Sequence, residues 1–145
     1  MSKRDVTLYI VDIFIAIDKL DRYISNFNDG DHLLGDEVYW DASIRELEII
    51  GEATKTLLSS NLIDAKYRRI VDFRNQITHG YFGIDTHIVW QVLIEKIPQY
   101  KKDLIDIVRL NNIAIEDAIA YAKVEFRSQP KTITMLNSLV NTIKE

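Results

Sequence analysis

Most of the residues in this sequence that could do chemistry stand together in one stretch, Phe73–Arg74–Asn75–Gln76–Ile77–Thr78–His79–Gly80–Tyr81. The chain has three histidines, His32, His79 and His87, and no cysteine. Disulfides, thiolate metal sites and cysteine nucleophiles are therefore excluded together. Only His79 has reactive neighbours. A histidine can act as general acid or base near neutral pH, and Arg74 offers a permanent planar charge suited to phosphate oxygens. Neither role needs a metal. On a helix Asn75 and His79 share a face, about 40° apart, whereas Arg74 and His79 lie about 140° apart. One chain does not easily bring those two onto one small target. Two copies of the helix meeting across a two-fold axis would do so, Arg74 approaching His79 of the partner subunit. The alternative reading is an arginine and a histidine that merely cap a helix ending at Gly80.

Other candidates are weaker. Lys66–Tyr67–Arg68–Arg69 is the one basic concentration of note; Lys66, Arg68 and Arg69 read either as a patch that steers a nucleic acid by its phosphates or as one solvated turn. Glu48 and Glu52 stand four apart, as an exposed charged face or as a two-carboxylate metal site. Tyr81, Phe82, Trp90 and Tyr100 suit either base stacking or the core. His32 reads as a loop residue and His87 as a helix start, and neither is given a role.

The elements that must position Arg74 and His79 are helical throughout. Glycine (5) and proline (2) are scarce among the 145 residues, which favours long helices. Val6, Ile10, Ile13, Ile17, Leu20, Ile24 and Phe27 alternate steps of four and three, the spacing of a packed helical stripe. Residues 26–31 have loop composition. A second helix is expected over about residues 36–60, a turn or short helix from 64 leading into a motif helix over 70–79, and a long helix over 87–111 capped by Asp85 or Thr86. Pro98 falls inside that last helix and predicts a kink, since it lacks an amide for the carbonyl of Ile94. Two further amphipathic segments follow, separated by Ser128–Gln129–Pro130. The reading is all-α: a bundle of four to five helices over residues 1–111, with a C-terminal helical extension over 112–145 packed on it.

Bulk properties fit an ordinary globular chain, 47% hydrophobic and 28% charged with a net charge of -4. That acidic balance makes any nucleic-acid contact depend on a local patch. No run approaches the ~20 apolar residues of a membrane span, so a soluble, cytoplasmic protein is expected.

The motif Arg74–Asn75–Gln76–Ile77–Thr78–His79–Gly80–Tyr81 resembles the Arg-x4-His-x-Tyr motif of the HepT family within the HEPN superfamily. Ile44–Arg45–Glu46–Leu47–Glu48–Ile49–Ile50–Gly51–Glu52–Ala53 is similar to the family's second-helix segment. Gly80 to Asp85, Val89–Trp90 and Ile97–Pro98 are similar to its post-motif turn and fourth helix. The resemblance covers about residues 5–110. It implies a HEPN-type bundle, a homodimer, and a toxin that cleaves RNA, tRNA being the expected substrate, with no cofactor or metal. Arg74 would stabilise the phosphate transition state and His79 would handle protons, leaving a 2′,3′-cyclic phosphate, while Asn75 would hold that geometry. Tyr81 would be the tyrosine on which an MntA-type nucleotidyltransferase antitoxin places AMP to silence the toxin. Two other functions fit the same residues: a non-catalytic nucleotide- or substrate-binding partner of a nucleotidyltransferase, and a helical interaction module.

Overall fold

Helix α1 (Val6–Ile24) packs against several other helices in the computed structural model, which describes residues 5–79 and 84–145. Asp5 caps it by accepting from the Thr7 amide at 2.8 Å. Beyond the expected stripe, Val11, Ile15 and Ala16 are also buried, so the apolar positions run most of the way round. A helix apolar on all sides needs neighbours on all sides, and α1 touches α3 (Glu37–Ser59), α6 (Ile97–Leu110), α7 (Glu116–Glu125) and α8 (Pro130–Lys144). The last two lie in the C-terminal segment. Ile115, Ile119, Ala122, Leu136 and Leu139 join the same buried cluster as Ile10, Phe14 and Leu104. The Lys19 ammonium stands 5.1 Å over the Phe126 ring.

Helix ends follow local chemistry. Asp36 caps α3 through the Tyr39 amide at 3.2 Å. α3 and α6 both stop on an asparagine with positive φ, Asn61 at 57° and Asn112 at 50°. The following amides, Leu62 and Ile113, reach back to the carbonyls of Leu57 and Val108 at 3.1 and 3.0 Å, which closes the last turn of each helix. Asp64 caps the 3-10 turn Ala65–Tyr67 that leads into α4 (Arg68–His79).

One expectation needs correction. The loop after α1 is shorter than its composition suggests, because α2 (Gly30–Leu34) begins at Gly30. Asp29 accepts from the His32 amide at 2.7 Å and Leu33 is fully buried, so His32 sits in a short helix, its Nδ1 accepting from the Asn28 amide. Pro98 follows an irregular turn of the helix. α5 (Thr86–Gln91) passes through a π turn, Val92–Lys96, into α6, with Pro98 in the first turn of α6. The Ile97 amide bonds five residues back to Val92. The widened turn takes up the proline ring and its missing amide just before them, so the helix continues past Pro98 without a break.

No strand occurs among the described residues, and no described helix is long and apolar enough to cross a membrane.

Candidate active site on helix α4

Helix α4 is held by its contact with α3, and Gly51 sets the closeness of that contact. A β-carbon at Gly51 would stand 2.3 Å from Arg74 Cβ and 2.5 Å from Cγ, far inside van der Waals contact. Only a bare backbone lets the Arg74 stem cross α3 here. Past Gly51 the guanidinium meets the Glu52 carboxylate in an ion pair. Arg74 Nη1 also donates to Asn75 Oδ1 at 3.0 Å, while Nε is buried with no partner among the described residues. The arginine is thus gripped from two sides. The surrounding cleft of about 260 Å³ brings Asp12, Arg45, Glu48, Glu52 and Arg74 together, beside Tyr9.

His79 faces elsewhere. It is the last described residue of α4 and is exposed. Arg68, Asp72, Asn75 and His79 follow one another at steps of four, three and four, and all four are exposed. They form a polar stripe along one side of α4. The helix therefore separates Arg74, turned down to α3, from His79 on the open side, and Asn75 belongs to both groups. It shares the stripe with His79 and accepts from Arg74.

The basic residues divide in the same way. Arg68 lies on the His79 stripe, whereas Lys66 and Arg69 line a second cleft between α4 and α6. Gly80 and Tyr81, expected to end the helix and to carry AMP, lie outside the described residues, as does Phe82. Trp90 is half-buried against the core. Tyr100 is a core residue and does not present a stacking face at the surface; its hydroxyl is 2.9 Å from Thr54 Oγ1. Burial, partly offset by that hydrogen bond, pushes its pKa up to about 12. His87 lies in the first turn of α5, with its amide on the Asp85 carboxylate at 2.9 Å.

Glu52 and Gly51 have functions that sequence reasoning missed. Glu52 does lie on an exposed face, but its carboxylate belongs to Arg74. The available signal was Gly51 itself. A glycine inside an otherwise regular helix costs about 1 kcal/mol against alanine, and close approach of another element is the usual compensation.

The model of the ribonuclease HepT-like family matches residues 13–107, from the middle of α1 through most of α6. The chain belongs to the HepT-like ribonuclease family. Among its relatives is a Methanocaldococcus jannaschii protein with the provisional name RNase MJ1380, 31% identical over 107 residues that cover 72% of this chain and 97% of the relative. Another from the same organism, provisionally RNase MJ0127, is 32% identical over 114 residues, covering 75% of this chain and 92% of its own length. "Probable ribonuclease HepT" of Thermococcus cleftensis is 31% identical over 102 residues, 68% of this chain and 92% of the relative. No solved structure gives a significant match. The HepT-like region contains both Arg74 and His79, and α7 and α8 lie beyond it.

Proposed function

We propose that this HepT-like protein is an RNA endonuclease that cuts without a metal, through Arg74 and His79 at the interface of a homodimer. The observation that carries the reading is the division of α4: Arg74 is paired with Glu52 of α3 and bonded to Asn75 of its own helix, and His79 stands on an open polar stripe. A second copy related by a two-fold axis, with the Arg74 side of each α4 set against the His79 stripe of the other, would place Arg74 of one subunit and His79 of its partner on either side of one phosphate.

In that site Arg74 neutralises charge on the phosphate oxygens as they gain it. His79 takes the proton of a ribose 2′-hydroxyl while that oxygen attacks the adjacent phosphorus. The bond from phosphorus to the 5′ oxygen breaks, the 5′ oxygen leaves with a proton taken from solvent water, and a 2′,3′-cyclic phosphate remains. Asn75 and Glu52 hold Arg74 in place. The fuller reading is a cytoplasmic toxin acting on tRNA, paired with an MntA-type nucleotidyltransferase antitoxin that silences it by AMPylation of Tyr81. A bulky anionic nucleotide there would occupy the phosphate site and repel RNA.

The test is incubation of the purified protein and its His79→Ala variant with total tRNA in EDTA, with the 3′ ends of the products analysed. Cutting that leaves cyclic phosphate and vanishes in the variant is the expected result. Equal cutting by both would remove His79 from the site. No cutting by either, from protein whose intact mass shows no added AMP, would leave a non-catalytic partner of a nucleotidyltransferase.

A further inference from the structure

The side of α4 that faces away from Arg74 forms one wall of a larger cleft. Together with the 3-10 turn and the α5–α6 segment it encloses about 580 Å³, within the roughly 300–1,000 Å³ of small-ligand sites. The floor is apolar and aromatic, with Leu47, Phe73, Ile97 and Tyr100. The rim carries Lys66, Arg69 and Lys96, all exposed, and the π turn supplies Lys96 to the wall opposite α4.

Two carboxylates also line it, Asp72 and Asp103. Asp103 accepts from the Tyr67 hydroxyl at 2.7 Å and from the Gln99 side-chain Nε2 at 2.9 Å. Lys66 Nζ stands 5.2 Å over the Tyr67 ring. Three cations around an apolar floor are a local excess of positive charge in a chain whose net charge is -4. The cleft is also joined to the candidate site. Arg69, Asp72, Gln76 and His79 recur along α4 at steps of three, four and three, so its wall runs along the helix to His79, about 15 Å from Arg69 along the axis.

We propose that this cleft is a subsite for one nucleotide of the RNA strand, flanking the nucleotide that is cut beside His79. The base lies against Phe73 on the apolar floor, and the adjoining phosphate lies among Lys66, Arg69 and Lys96. Single-stranded RNA is held in this way elsewhere, by stacking on aromatic rings together with cations along the backbone. The Gln76 carboxamide, with both a donor and an acceptor, stands at the wall to meet the base edge. The inference rests on the RNA-cleavage reading, and its test does not require cleavage.

The test uses the full-length His79→Ala protein and a short fluorescent RNA carrying 4-thiouridine. Binding is measured with and without the added changes Lys66→Ala, Arg69→Ala and Lys96→Ala, and the photocrosslinked residue is mapped by mass spectrometry. The three substituted residues are exposed, and circular dichroism checks that the fold is kept. The expected result is a crosslink to the peptide containing Phe73, a Kd raised about tenfold, and a log–log salt dependence shallower by about 0.7, as loss of one neutralised phosphate on a single strand requires. Unchanged affinity, or a crosslink confined to other surfaces, would overturn the subsite while leaving the nuclease reading intact if the unmutated protein cuts RNA. No RNA binding and no cutting would overturn both. AMP bound in the cleft while the oligonucleotide ignores it would show a mononucleotide site, and a changed oligomeric state in the triple variant would show an interface with a second copy; either overturns the proposal.

Discussion

Glu52 on α3 and Arg74 on α4 are ion-paired directly beside Gly51, where the Arg74 stem lies against the bare backbone of α3. The glycine brings the helices together, and the carboxylate fixes where the arginine points once they touch. An ion pair as open as this contributes only about 0–1 kcal/mol to stability. Its consequence is orientation of the guanidinium.

Loss of that orientation should appear in rate rather than in stability. Glu52→Ala should lower single-turnover RNA cleavage by about tenfold to a hundredfold, the scale on which misplacement of a catalytic group acts, with little change in Tm. Glu52→Gln, which keeps a hydrogen-bond acceptor, should recover part of the loss. A Glu52→Ala protein that cuts at the wild-type rate would show that Arg74 needs no such hold.

Gly51→Ala should do the opposite of what helix propensity predicts. Alanine in place of a helical glycine ordinarily stabilises by about 1 kcal/mol. Here the new methyl group would enter the Arg74 stem, and overpacking of that kind costs about 1–3 kcal/mol. Thermal melts should show a lower Tm. An unchanged or higher Tm would mean that α3 and α4 separate without cost.

Glu46 is a buried carboxyl on α3 whose pKa is raised by burial, with Lys19, Arg45 and Arg22 acting in the opposite direction. A folded-state pKa above the unfolded one means that the folded protein holds the proton more tightly. That contribution to stability is fully present below the ordinary glutamate value and is lost as pH rises through the raised one. Glu46→Gln should therefore raise the urea midpoint at neutral pH, and the gain should fade on acidification below the ordinary glutamate range. An equal gain at both pH values would rule out burial of the charge as its cause.

The Thr54–Tyr100 hydrogen bond joins α3 to α6 inside the core. Tyr100→Phe should cost about 1–3 kcal/mol, because it leaves the Thr54 hydroxyl buried without that partner. Adding Thr54→Val should cost less than the sum of the single changes, which a double-mutant cycle by chemical denaturation would reveal. Strict additivity would mean that the two hydroxyls are not coupled.

Much of this protein is determined by sequence alone, because it depends on local spacing. Steps of three and four are enough to require helices, and they mark Ile10, Ile13, Ile17 and Leu20 as core. Asp36 and Asp85 announce helix starts through side-chain acceptors that need no distant partner. Family membership is legible as well, since the motif around Arg74 and His79 is one continuous run.

Tertiary structure alone decided what each side chain meets. Glu52 and Arg74 are 22 positions apart in the chain, and only the neighbouring Gly51 distinguishes Glu52 from Glu48 locally. Lys66, Arg68 and Arg69 form a single basic run in sequence, yet the turn into α4 sends Lys66 and Arg69 to one cleft and Arg68 to the His79 stripe. Val11, Ile15 and Ala16 are off the α1 stripe and become core because α6, α7 and α8 pack against that helix as well as α3. Periodicity determines which residues share a face of one helix. Packing determines what that face touches, and it does so through contacts between residues far apart in sequence.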